Sequence, residues 1–240
     1  MSQITPETLV GEIAAIQPAS IRVFQRYGID FCCGGKRPLR EVCEERRVAF
    51  DELAGAIRNA ALPAEDRDWT VAPLGELVDH ITARYHDTLR HELPRLLAMA
   101  AKVHDVHGEK LPAVFPRLNG LLSELSDDLQ SHMAKEEMIL FPAVKELAAA
   151  KAESRAPQTR FPLGALRMPM AVMEQEHERA GELLAGLRNV TGAYEPPEWA
   201  CNTFRGLYAG LDELERDLHV HVHLENNVLF PRTARLEQES

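Results

Sequence analysis

The segment His132-Met-Ala-Lys-Glu136-Glu-Met-Ile-Leu-Phe141-Pro142 returns 89 residues later as His221-Val-His-Leu-Glu225-Asn-Asn-Val-Leu-Phe230-Pro231. Each copy sets a histidine four residues before a glutamate and closes on Phe-Pro. Residues four apart on an α-helix share a face, one turn above the other, so each copy aims an imidazole and a carboxylate at one place. A weaker pair shares nearly the same offset: His86 and His177 lie 91 residues apart, each upstream of one copy. This pattern predicts a duplicated helical hairpin that builds one metal site from both halves.

The period is helical almost throughout from Trp69 onward, with long segments expected at roughly 73–102, 113–149, 169–190 and 197–234. His86 runs in line with Leu89, Leu93 and Leu97, and His132 and Glu136 with Leu125, Leu129 and Leu140. His177 lies in line with Met173, Ala180 and Leu184, and His221 and Glu225 with Leu214, Leu218 and Val228. Each polar candidate therefore sits inside an i, i+3/i+4 apolar stripe that should face a core. That placement costs free energy unless the groups are paired or hold a metal. The expected fold is all-α, an up-down four-helix bundle over 69–240 behind a small helical domain over 1–62. Pro94, Pro142 and Pro231 should kink or end their helices.

Four neutral histidines and two carboxylates exceed the four ligands zinc prefers. They suit two irons, each taking two histidines, with Glu136 and Glu225 as bridges and an open position for a small molecule or an oxo bridge. A ferritin-like layout needs Glu-x-x-His twice. Glu174 precedes His177 at that spacing, but Ala83 stands three before His86. His219 and His223 each lie two residues from His221, about 200° around a helix, so a solvated or supporting role is expected. His80 and His91 fall with Arg84 and Asp87 on a polar face. His104 and His107 are expected in the loop after the first long helix, and Glu137 should point away from the site while remaining the fallback ligand.

In the leading domain, Thr5-Pro6-Glu7 reads as a helix start, and the stripe Ile21, Phe24, Tyr27 is stopped by Gly28. Cys32-Cys33-Gly34-Gly35-Lys36-Arg37 follows as a loop, Pro38 can open the next helix, and 64–68 reads as a linker. Nearby basic groups and a helix start should lower a thiol pKa, which makes Cys32 and Cys33 candidate reactive thiols, although burial at a turn would explain them equally well. No other catalytic residue is assigned, and whether the protein is an enzyme stays open. Cys43 and Cys201 fit helical pattern as packing residues.

A net charge of −10 argues against nucleic acid as a partner. There is neither an apolar run long enough to span a membrane nor a basic-then-apolar start of a secretory signal, and four cysteines suit a reducing cytoplasm.

The Asp-Phe-Cys32-Cys33-Gly-Gly-Lys loop resembles a known family, as do Tyr85-His86-Asp87, Ser131-His132 through Pro142, Met173 through His177 and Leu224 through Pro231. It is the family of iron–sulfur cluster repair di-iron proteins, also called repair-of-iron-centres or YtfE/ScdA-type proteins. The resemblance covers nearly the whole chain. It implies a cysteine-bearing domain followed by a haemerythrin-like bundle, with two non-haem irons on His86, His132, His177 and His221 bridged by Glu136 and Glu225. It further implies a cytoplasmic homodimer that answers nitric oxide or oxidant stress by restoring damaged iron–sulfur proteins, with iron supply or reduction of nitrogen oxides as its chemistry. Two alternatives stay open: a haemerythrin-like carrier or sensor of O2 or NO, and an oxidoreductase that processes nitric oxide or nitrite. Neither a flavin nor a nicotinamide motif is present, so an oxidoreductase would draw electrons from outside.

Overall fold

The computed structural model describes residues 4–60, 67–158 and 164–239. Among these residues the regular elements are all helical, and the β-type pairing is confined to an isolated bridge between Leu9 and Pro38. In chain order the helices are α1 (Val10–Ile16), α2 (Ser20–Arg26), α3 (Leu39–Arg46), α4 (Phe50–Arg58), α5 (Leu74–Ile81), α6 (Asp87–His107), α7 (Val114–Lys135), α8 (Phe141–Ala152), α9 (Arg167–Val190), α10 (Asn202–Leu224) and α11 (Phe230–Gln238). They divide into two compact units. One comprises 1–79, 143–167 and 219–240, and the other 80–142 and 168–218.

In the second unit α6, α7, α9 and α10 share one core, built from residues such as Leu93, Leu96, Phe115, Leu122, Leu183, Leu187, Phe204 and Leu211. These are the apolar stripes of the four expected segments. Two boundaries differ from expectation. Nothing breaks the first long helix until Gly108, whose amide bonds the carbonyl of His104 at 2.7 Å, so His104 and His107 are helical rather than in a loop. The last long helix starts at Asn202, because the amide of Ala200 closes a turn on Pro197 and the Arg205 guanidinium donates to the carbonyls of Glu198 and Ala200.

In the first unit Val10, Ile13, Phe24, Phe31, Leu39, Leu53 and Ile57 form the core. Gly28, at φ +63°, ends the α2 region, a conformation that disfavours any residue with a Cβ. The expected helix at Thr5-Pro6 is instead a turn: the amide of Thr5 donates to Thr8 Oγ1, and the carbonyls of Pro6 and Thr8 accept from Arg40 and Leu39 at the start of α3. Of the expected linker, 64–66 lie outside the described residues, and Asp68 accepts from the Thr70 amide at 2.9 Å.

Pro142 and Pro231 do not end their helices. Each follows a five-residue π turn, Glu136–Leu140 and Glu225–Leu229, closed by the amides of Phe141 and Phe230 on the carbonyls of Glu136 and Glu225. Proline offers no N–H to the carbonyl four residues back and crowds it, so the preceding turn widens and the helix resumes. A third π turn, Thr82–His86, has no such proline; there the Thr88 hydroxyl takes the carbonyl of Arg84 at 2.6 Å.

Candidate metal centre

Three of the six candidate ligands lie in these π turns: His86 ends the first, and Glu136 and Glu225 open the other two. His132 is in α7, His177 in α9 and His221 in α10. All six are buried, with at most 3% of any residue exposed. Leaving such groups in an apolar core is costly without compensation, which makes their partners informative.

Within the second unit, Glu136 Oε2 lies 3.4 Å from Nε2 of His86 and 3.4 Å from Nε2 of His132. His177 Nε2 lies 3.0 Å from His132 Nε2. One carboxylate oxygen thus stands between imidazoles of different helices, and His132, Glu136 and His177 place donor atoms within 4.8 Å of one another. Donors about 2.1 Å from a common cation, at angles of about 90° to 110°, lie about 3.0 to 3.4 Å apart. The spacing and the N/O donor set therefore fit a divalent transition metal. Within the first unit, His221 Nε2 lies 3.1 Å from Glu225 Oε1, the same histidine–glutamate pairing one turn apart.

The outer nitrogens explain why Nε2 faces inward. His86 Nδ1 is 2.7 Å from Glu137 Oε1, and His132 Nδ1 is 2.9 Å from Glu176 Oε2. Partial burial opposes ionisation of Glu137, but Arg90 and His86 outweigh it and hold the carboxyl below its ordinary range. Burial likewise opposes ionisation of Glu176, and Lys135 and His132 outweigh it. An ionised carboxylate only accepts, so each Nδ1 carries the proton and each Nε2 keeps its lone pair for a metal. A cavity of about 220 Å³ reaches His132 and His177 and is lined also by Lys135, Glu176 and Arg179.

Glu137 therefore does not point away: the π turn that it shares with Glu136 brings it to His86. Its role and that of Glu176 were missed, although Glu176 stands beside His177 in sequence. His104 and His107 have no place at the site. They lie some 18 and 21 residues beyond His86, about 27 to 32 Å along a helix, where His104 stacks on Phe115 and His107 Nε2 meets Cys201 Sγ at 3.3 Å. Cys201 is exposed ahead of α10 rather than packed, whereas Cys43 is buried in the first unit's core.

Of the two readings of the cysteine loop, burial at a turn describes Cys32. Asp30 accepts from the amides of Cys32, Cys33 and Gly34 at 2.9–3.0 Å, and Cys32 Sγ donates to its Oδ1 at 3.2 Å. The neighbouring Cys33 thiol, burial and the Asp30 carboxylate push the Cys32 thiol well up, not down. Arg37 cannot offset this, since it pairs with Glu45 at 2.7 Å. Of the roles expected for His219 and His223, the supporting one fits. Both stand edge-on to Phe31, with ring centroids 6.1 and 5.6 Å from it, and burial pushes His223 down to about 4.

Comparison with known proteins agrees with this donor set. The profile of the Hemerythrin HHE cation binding domain matches residues 77–233, and the ScdA_N profile, a domain of unknown function, matches 6–61. The chain is 40% identical over 223 residues to the iron–sulfur cluster repair protein YtfE of Escherichia coli O1:K1, covering 93% of this chain and 94% of that protein. It is equally similar to YtfE of Escherichia fergusonii. The chain belongs to the YtfE family. Its haemerythrin-like part is of a kind that binds metal cations, and this YtfE-family chain presents buried histidine and glutamate donors suited to one. No described helix is long and apolar enough to cross a membrane.

Proposed function

We propose that this protein restores iron–sulfur clusters damaged by nitric oxide or oxidants, supplying iron from a di-iron centre. In this reading His86, His132, His177 and His221 would hold two non-haem irons as terminal ligands, with Glu136 and Glu225 as the carboxylates that would bridge them. The observation that carries it is Glu136 Oε2 standing 3.4 Å from Nε2 of both His86 and His132, whose outer nitrogens are held by Glu137 and Glu176. The repeated His/Glu spacing supports the same role for His221 and Glu225. Bound ferrous iron supplies the cargo for rebuilding a cluster, and histidine and carboxylate donors release it more readily than thiolates do.

The chain's own groups then divide the work. Glu137 and Glu176 orient two imidazoles, Arg90 and Lys135 keep those carboxylates ionised, and the apolar stripes exclude water from the donors. A cysteine-bearing domain over 1–62 precedes the bundle over 69–240, with Cys32 and Cys33 receiving or relaying iron. The protein acts in the cytoplasm as a homodimer on damaged iron–sulfur proteins, without nucleic acid or membrane as partner. A second reading, binding or turnover of a small gas such as NO or O2, is favoured by the 220 Å³ cavity at His132 and His177.

The test mixes iron-loaded protein with a cluster-damaged dehydratase and compares wild type with a Cys32→Ser/Cys33→Ser variant. Recovery of dehydratase activity that needs both iron and thiols is expected. Reversible gas binding without any recovery would favour the second reading.

A further inference from the structure

Asn227 sits in the π turn opened by Glu225, yet its side chain serves the cysteine loop. Its Nδ2 lies 3.2 Å from the carbonyl of Phe31, 3.1 Å from that of Cys32 and 3.2 Å from Nδ1 of His223. An amide NH2 has two protons, enough for the two carbonyls. The carboxamide occupies space that two glycines leave open. A Cβ on Gly11 would lie 2.7 Å from Asn227 Cγ, and one on Gly35 would lie 2.5 Å from Asn227 Oδ1. Gly11 is in α1 and Gly35 in the loop after Cys33, so backbones from two segments close on one side chain from a third. The Phe31 ring also meets His219 and His223 edge-on.

We infer that Asn227 is a positioning residue that ties the Cys32–Cys33 loop to the turn carrying Glu225, so that metal occupancy at Glu225 sets how accessible the thiols are. The inference rests on the metal reading of Glu225 given above. The physical path is short: Glu225 and Asn227 are two residues apart in one π turn, a single-turn bulge in a helix of the kind that recurs at functional sites. A turn pinned by metal at Glu225 keeps the carboxamide under the carbonyls of Phe31 and Cys32. A turn without metal at Glu225 relaxes and loosens the loop, exposing Cys32, which is otherwise buried. Asn227→Ala removes both donated bonds. Gly35→Ala displaces the same carboxamide while leaving every candidate metal ligand and the turn's sequence unchanged.

The test is the alkylation rate of Cys32 in the full chain, followed by mass spectrometry with and without two equivalents of ferrous iron. In wild type the iron-free rate should exceed the iron-loaded rate by about tenfold, the factor that two modest hydrogen bonds are together worth. In Asn227→Ala and in Gly35→Ala the iron-loaded rate should rise to the iron-free one, with iron content unchanged from wild type. Two irons bound by wild type with equal rates in both states would overturn the inference, as would an undiminished difference in Gly35→Ala. Wild type that binds no iron would instead overturn the metal reading. In that case faster alkylation of Asn227→Ala than of wild type, both iron-free, would still support the tether, and equal rates would overturn it.

Discussion

Glu137 Oε1 lies 2.7 Å from Nδ1 of His86, and the same carboxylate is gripped by Arg90 at 2.6 and 2.7 Å. The arrangement fixes the tautomer of a buried histidine through an acid that stays ionised, and it does so from a position one residue beyond a candidate ligand. Glu137→Gln keeps the shape but makes a weaker, reversible partner. It should lower iron affinity about 10- to 100-fold, the usual effect of losing such a partner. Competition with a chelator measures it, and Glu176→Gln should act in the same direction through His132.

Cys32 should be a slow thiol at neutral pH. Its neighbour Cys33, burial and Asp30 all raise its pKa, so the thiol remains protonated where an ordinary cysteine has begun to ionise. The alkylation rate of iron-loaded protein should keep climbing above pH 9, and Cys33→Ser should move the rise to lower pH. A plateau reached below pH 8 would contradict the geometry of the loop.

Far from the donors, Tyr194 donates to the buried carboxylate of Glu215 at 2.6 Å, and Arg188 Nε donates to it at 2.9 Å. Tyr194→Phe leaves that buried acceptor short of a donor and should cost about 1–3 kcal/mol in urea unfolding. Arg188 lies 11 residues beyond His177, about 16 Å along α9. Iron retention should therefore be unchanged, which separates stability from metal binding.

The apolar stripes around His86, His132, His177 and His221 made the helices and the inward donors readable, because helical periodicity survives in the sequence wherever a core must be filled. Glu137 was not readable in the same way. A straight helix turns it about 100° from Glu136, and only a π turn, a backbone event set by Pro142 and local packing, brings it to His86. The same limit applied to Pro142 and Pro231, expected to kink or end their helices, whose missing N–H instead widens one turn before the helix resumes. The thiols of Cys32 and Cys33 were judged from basic neighbours in sequence. In space the Asp30 carboxylate is folded under their amides and accepts from the Cys32 thiol. His219 and His223 lie off the face of His221 as the helical angle requires, but their partner, Phe31, comes from a segment nearly 200 residues away.

Removing the cavity's cations should weaken the neighbouring carboxylate. Lys135→Ala takes away the ammonium bonded to Glu176, the partner that most offsets burial there. Glu176 should then titrate at higher pH, and iron should be lost from the protein at a higher pH on acidification than in wild type. Dialysis across a pH series with iron assay checks this; identical loss curves would show that Glu176 does not hold His132.

The most direct measurement is iron per chain after anaerobic loading and desalting, for wild type beside Glu136→Leu and Glu225→Leu. Two irons per wild-type chain, with retention lost in both variants, is the predicted result. Fewer than two in wild type, or undiminished retention in the variants, would contradict a di-iron centre bridged by these glutamates.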